Sequence, residues 1–191
     1  MPSPTRIPSI PQTTKPARHT LGIGAALLAT ALLGGCGNSK PDQFAPACPE
    51  LKLLRDAADL TRMRGQGSDL TDMILQARIV AVPASCKDGP KSTVRATVQV
   101  TLDATRGPAA TGRIVELPYL VTITRGERLL EQKAYMLPAE FKPNVDRARF
   151  TGDEIELVFP ISAEHPASEY TIYVSFQLTA AELAFNRRGK R

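Results

Sequence analysis

Thr93-Val94-Arg95-Ala96-Thr97-Val98-Gln99-Val100-Thr101-Leu102-Asp103 is the stretch that decides the fold class. Apolar residues occupy every even position in it, and polar or charged residues every odd one. Successive side chains of a strand point to opposite faces, so this segment reads as a strand with one buried and one wet face. The same period of two recurs further along the chain. It runs through Val115, Leu117, Tyr119, Val121 and Ile123, through Ile155, Leu157, Phe159 and Ile161, and through Tyr170, Ile172, Val174, Phe176 and Leu178. Upstream, Met73, Leu75, Ala77, Ile79 and Ala81 form a weaker case, because Ile74, Val80 and Val82 fall on the other face. Residues 128–137 read equally well as a strand or a twisted edge.

Turn residues separate these runs. Lys87-Asp88-Gly89-Pro90 is expected to join the first two strands, Arg125-Gly126-Glu127 to close a tight hairpin, and Thr151-Gly152-Asp153 to precede another strand. The pattern predicts a mainly β protein: an immunoglobulin-like antiparallel β-sandwich of six or seven strands with a short C-terminal helix. A half-open barrel is the alternative. Trp is absent and the cysteine spacing is not that of an immunoglobulin domain, so the likeness is one of architecture. Thr179-Ala180-Ala181-Glu182 has capping-box spacing and predicts a helix from Ala180 to about Asn186, with Leu183 and Phe185 against the sheet. Over 50–63, Leu54, Ala57, Ala58 and Leu60 favour a helix ended by Gly65, with an extended first strand as the competing reading.

With 42% hydrophobic, 23% charged and 5% aromatic residues among 191, the composition is that of a globular protein. Charge is placed unevenly. Residues 1–35 hold Arg6, Lys15 and Arg18 and no acid; without them 21 basic residues face 19 acidic ones. The basic isoelectric point of about 9.3 thus belongs partly to that segment, and a nucleic-acid partner is not expected.

The N-terminal residues have their own logic. Five prolines and the cations Lys15 and Arg18 precede an uncharged run of 13 residues, Leu21 to Leu33, followed by Gly34, Gly35 and Cys36. Positive flank, short apolar run and small residues make a secretory signal peptide. At ~1.5 Å per residue such a run spans about 20 Å, short of the ~30 Å hydrocarbon core. Leu33-Gly34-Gly35-Cys36 resembles the lipobox of bacterial lipoproteins. The resemblance implies removal of 1–35, a thioether-linked diacylglycerol plus an N-acyl chain on Cys36, and stable membrane attachment. In lipoprotein sorting, Asp after the modified Cys favours the inner membrane; Gly37 stands here, which implies the periplasmic face of the outer membrane. Residues 36–47 then form the lipidated Cys and a flexible tether, and 48–191 the β-sandwich domain with a basic tail.

With Cys36 acylated, Cys48 and Cys86 are left as an even pair in an exported chain and are expected to form a disulfide. A metal or redox role would call for closer spacing and a nearby His.

Chemistry-bearing motifs are sparse. His165, beside Pro166, is the single His of the mature chain and reads as a loop residue. Gly107-Pro108-Ala109-Ala110-Thr111-Gly112 has the Gly-to-Gly spacing of a phosphate loop but continues as Arg113-Ile114 into a strand pattern, so an inter-strand turn is expected. Asp153, Glu154 and Glu156, and separately Asp69 and Asp72, could hold Ca²⁺, although their phase fits a wet face. The tail residues Arg187, Arg188, Lys190 and Arg191 could bind an anionic surface or serve only solubility. These readings lead to a membrane-anchored, non-catalytic envelope lipoprotein without metal or cofactor, contacting an envelope protein through outward residues such as Leu120, Tyr135 and Tyr173. The alternative is a binder of a small apolar ligand between the sheets, lined by Tyr119, Phe159 and Phe176.

Overall fold

In a computed structural model the described residues are 47–65, 67 and 69–188. The signal segment, Cys36, the tether up to residue 46, Lys190 and Arg191 lie outside them. Eleven strands and one helix form within the described residues. They are β1 (Glu50–Leu53), β2 (Asp59–Met63), β3 (Met73–Ala81), β4 (Ala84–Gly89), β5 (Thr93–Val98), β6 (Thr101–Arg106), β7 (Ile114–Arg125), β8 (Arg128–Glu140), β9 (Arg147–Thr151), β10 (Ile155–Pro160), β11 (Tyr170–Phe176) and α1 (Ala180–Arg188).

One layer of the sandwich is the sheet β1-β11-β7-β8. The other is made of two sheets, β2-β3-β6-β9 and β10-β5-β4, whose strands run on into one another. β3 continues as β4 across Val82-Pro83, β6 follows β5 across Gln99-Val100, and β10 follows β9 across 152–154. The ladder carries through the bend: Gln99 N–H donates to the Pro83 carbonyl at 3.1 Å, and Gly152 N–H to that of Val100 at 2.9 Å. Proline lacks a ladder donor, and glycine tolerates close approach, which is why the bend falls where Pro83 and Gly152 stand.

The period-two residues face inward as expected, except Ala81, which is exposed beyond the register shift that follows Ile79. Val94, Ala96, Val98, Val100 and Leu102 are all buried, and the last four meet Leu117, Tyr119, Val121, Ile172, Val174 and Phe176 in a single core cluster. Phe141, the residue after β8, and Phe150 of β9 pack edge to face, with ring centroids 5.3 Å apart. Burying side chains of this size contributes about 1.5–3 kcal/mol each, which fixes the register of every strand that carries them.

Four expectations need correction. There are eleven strands, not six or seven, because the long runs break at bends and because β4, β8 and the first two strands add to the count. Three sheets with a parallel β1–β11 pair do not reproduce the immunoglobulin order. Residues 50–63 are not a helix: only Arg55–Ala57 makes a single 3-10 turn, between β1 on β11 and β2 on β3. Ladder pairing on both sides outweighs a weak helical spacing. Finally, Lys87-Asp88-Gly89 belongs to β4, and the chain reverses at Pro90–Ser92, where Lys91 and Ser92 take positive φ. The Arg125-Gly126-Glu127 hairpin forms as expected, with Gly126 at φ 58°.

The Cys48–Cys86 disulfide is present, with a Cα separation of 5.9 Å. Cys86 sits on β4. Cys48 immediately precedes β1, so the bridge staples the start of one layer to the other.

Candidate functional site

The β7–β8 hairpin aligns Tyr119 directly opposite Tyr135. Their rings stack at 5.4 Å between centroids and 16° between planes, and the Lys133 ammonium lies 5.2 Å from the Tyr135 ring centroid. Facing them, the chain passes from β9 into β10 through Gly152, Asp153 and Glu154. Between the two walls lies a cleft of about 430 Å³. Tyr119 is only 3% exposed, and its hydroxyl makes no hydrogen bond among the described residues. A Cβ added at Gly152 would come within 3.2 Å of that hydroxyl, so glycine keeps the floor open. Burial, then Tyr135, then the charge of Asp153 raise the Tyr119 phenol above its ordinary range, so it stays protonated. Of the nearby acids, Glu156 pairs with Arg95 at 3.4 Å, while Asp153 and Glu154 make no ion pair among the described residues.

A second cleft, of about 710 Å³, lies between β2 and α1. The helix forms where the capping box predicted it. Thr179 N–H and Oγ1–H donate to Glu182 Oε2 at 2.8 and 2.9 Å, and Glu182 N–H donates back to Thr179 Oγ1 at 3.2 Å. The face it buries differs from the expected one. Leu183 is half-buried and Phe185 is 37% exposed, whereas Glu182 and Asn186 are buried. Glu182 Oε1 accepts from Arg62 Nε at 3.2 Å, and Asn186 Nδ2 donates to the carbonyls of Asp56 and Asp59 at 2.8 and 2.7 Å. Residues 182 and 186 are one turn apart on one side of the helix, so the helix docks by polar contacts.

The other residues singled out from sequence fall as follows. His165 Nδ1 lies 3.0 Å from Glu169 Oε2 on the surface. Three amides of the Gly107–Gly112 loop are already used: Gly107 N–H bonds the Ile74 carbonyl, Ala109 N–H that of Met73, and Ala110 N–H that of Gly107. A Cβ at Gly107 would collide with the Met73 carbonyl, so this glycine serves packing. Asp72 pairs with Arg64 at 3.3 Å, and Asp69 caps no side-chain bond of the 3-10 turn after it. Among the described residues no group of three or more His, Cys, Asp or Glu is placed to hold a metal. Arg187 pairs with Asp56 at 3.2 Å, and Arg188 stacks over Phe185 at 6.0 Å.

Phe159 and Phe176, expected to line an apolar cavity, pack in the core at 1% and 2% exposure. Leu120, Tyr135 and Tyr173 are half-buried. The exposed large apolar residues of this layer are instead Leu129, Leu130 and Met136 on β8, together with Ile114 at the start of β7 and Leu53 at the end of β1. Arg62 and Asn186 carry no sequence signal, because their partners are more than 100 residues away, and Lys133, whose ring partner Tyr135 is two residues on, carries none in the alternation pattern. The alternation through 115–123 did place Tyr119 on the core face, and the doubtful edge at 128–137 was the one signal for Tyr135. No protein-family model, curated protein or solved structure matches the chain.

Proposed function

We propose that this chain is a membrane-anchored, non-catalytic interaction module of the cell envelope, held by acyl chains on Cys36 and working at the periplasmic face of the outer membrane. The observation that carries the interaction reading is strand β8. Its outer edge pairs with no strand among the described residues, and Leu129, Leu130 and Met136 stand 58%, 42% and 53% exposed along it. An open edge of 13 residues offers backbone N–H and C=O groups to an extended segment of a partner protein. Arg128, Glu131, Lys133 and Pro138 on the same strand restrain indiscriminate pairing.

The Cys48–Cys86 bridge supports the anchored reading, since such bonds persist in oxidising compartments. It also covalently secures the residue that follows the 37–47 tether, so a pull from the membrane meets a bond before it meets the short β1 ladder.

Mass spectrometry of the protein from envelope fractions should find a chain beginning at a triacylated Cys36. A photo-crosslinker at Leu130 should join it to one envelope protein, whereas one at Leu70, exposed elsewhere, should not. An unmodified precursor, or equal capture from both positions, overturns the reading.

A further inference from the structure

We propose that the cleft formed by Tyr119, Tyr135, Asp153 and Glu154 is a binding site for an alkylammonium group. The inference is independent of acylation at Cys36 and of any partner on the β8 edge.

Three observations converge on it. The first is the unpaired charge. Asp153 and Glu154 line the cleft without an ion pair among the described residues, and Lys133 supplies the single positive charge there. With Glu156 already matched by Arg95, the cleft is left one positive charge short of neutrality. The second is Tyr119 itself. Its side chain is almost wholly buried, yet its hydroxyl reaches the cleft floor with no hydrogen-bond partner among the described residues. An N–H donor from a ligand would give that hydroxyl the hydrogen bond it lacks among the described residues. Burial holds the phenol protonated, and its oxygen has lone pairs to accept such a bond. The third is the way the cleft treats a cation it already has. Lys133 sets its ammonium 5.2 Å above the Tyr135 ring, within the range of a cation–π contact.

Stacked electron-rich rings, two free carboxylates and a hydroxyl acceptor are complementary to an ammonium head with N–H donors and a short apolar stem. Met136, Leu137 and Pro138 give the stem an apolar wall. The volume of about 430 Å³ is within the size of small-ligand clefts and leaves room beside Lys133. An anion would meet the carboxylates, and a purely apolar molecule would bury them unsolvated.

Lys133 is then an internal competitor for the ring face, and this gives the test its sign. The purified full chain would be titrated with putrescine, with a short lysine-containing peptide, with N,N′-diacetylputrescine as the uncharged counterpart, and with a neutral disaccharide, following the ring signals of Tyr119 and Tyr135 by NMR. Putrescine should shift both rings and the two neutral probes should not. Asp153→Asn with Glu154→Gln should weaken putrescine binding at least tenfold, Tyr119→Phe at least threefold, and Lys133→Gln should tighten it at least threefold. Tenfold stronger binding of the peptide would support a protein lysine as the occupant; equal binding would support a free amine. Equal shifts from diacetylputrescine or the disaccharide, no loss in the Asp153/Glu154 variant, or weakening by Lys133→Gln would overturn the proposal. Unchanged thermal unfolding of the surface variants separates a lost site from a lost fold.

Discussion

Arg62 and Glu182, 120 residues apart in the chain, meet in an ion pair of 3.2 Å that joins strand β2 to the C-terminal helix. The Glu182 side chain is 10% exposed and that of Arg62 35%, so the pair is partly shielded from water. The same carboxylate also closes the helix cap, through Oε2. One side chain therefore starts the helix and docks it.

Replacing Glu182 should show both roles. Glu182→Ala is expected to cost about 2 kcal/mol in urea unfolding, from the lost cap and the deserted Arg62 guanidinium. Glu182→Gln keeps the capping geometry and should cost less than half as much. Equal losses would mean that the cap contributes nothing.

Asn186 answers two backbone carbonyls at once. Asn186→Ala should cost about 2–3 kcal/mol, because both carbonyls lose a donor. Hydrogen exchange should show the loss concentrated in α1 and the Arg55–Ala57 turn. Protection unchanged in those segments would refute the polar docking of the helix.

The disulfide closes a loop with a sequence separation of 38. Replacing both cysteines with serine should lower stability by up to about 4 kcal/mol in the chain-entropy account. β1 should suffer most, since it is four residues long and among the described residues pairs only with β11. Exchange rates in β1 that match the oxidised protein would contradict this.

Two glycines of one loop should behave oppositely. At Gly107 an added Cβ meets the Met73 carbonyl, and the backbone is held there by its bonds to Ile74 and Met73. Gly107→Ala should cost more than about 2 kcal/mol. At Gly112 nothing lies within 4 Å, so Gly112→Ala should stay within about ±0.5 kcal/mol. Thermal unfolding of the two variants side by side would show it.

Burial raises the Tyr119 phenol above its unfolded value of about 10. The native state therefore keeps a proton that the unfolded chain gives up first. Its contribution is fully present below about pH 10 and declines as pH climbs from there through the higher native value. Urea midpoints measured from pH 9 to 11 should fall more steeply for the native protein than for Tyr119→Phe. Parallel slopes would refute the assignment.

The inward phase of the strands was legible because burial repeats every second residue, and Val94 to Leu102 or Tyr170 to Phe176 display that repeat without help from the rest of the chain. The capping box at Thr179–Glu182 was legible for the same reason: donor and acceptor lie three residues apart. The likeness of Gly107–Gly112 to a phosphate loop could be set aside on the Arg113-Ile114 that follows it.

What the sequence determined by itself was thus whatever depends on neighbours in the chain: the mainly β class, the hairpin at Gly126, the helix start and the even cysteine pair. Tertiary structure alone decided that 50–63 pairs as two edge strands, that the bends divide one layer, and that α1 buries Glu182 and Asn186 instead of Leu183 and Phe185. It alone set Tyr119, Tyr135 and Lys133 opposite Asp153 and Glu154. Contacts of that kind join residues far apart in the chain, and their energy exists only once the strands between them have found their register.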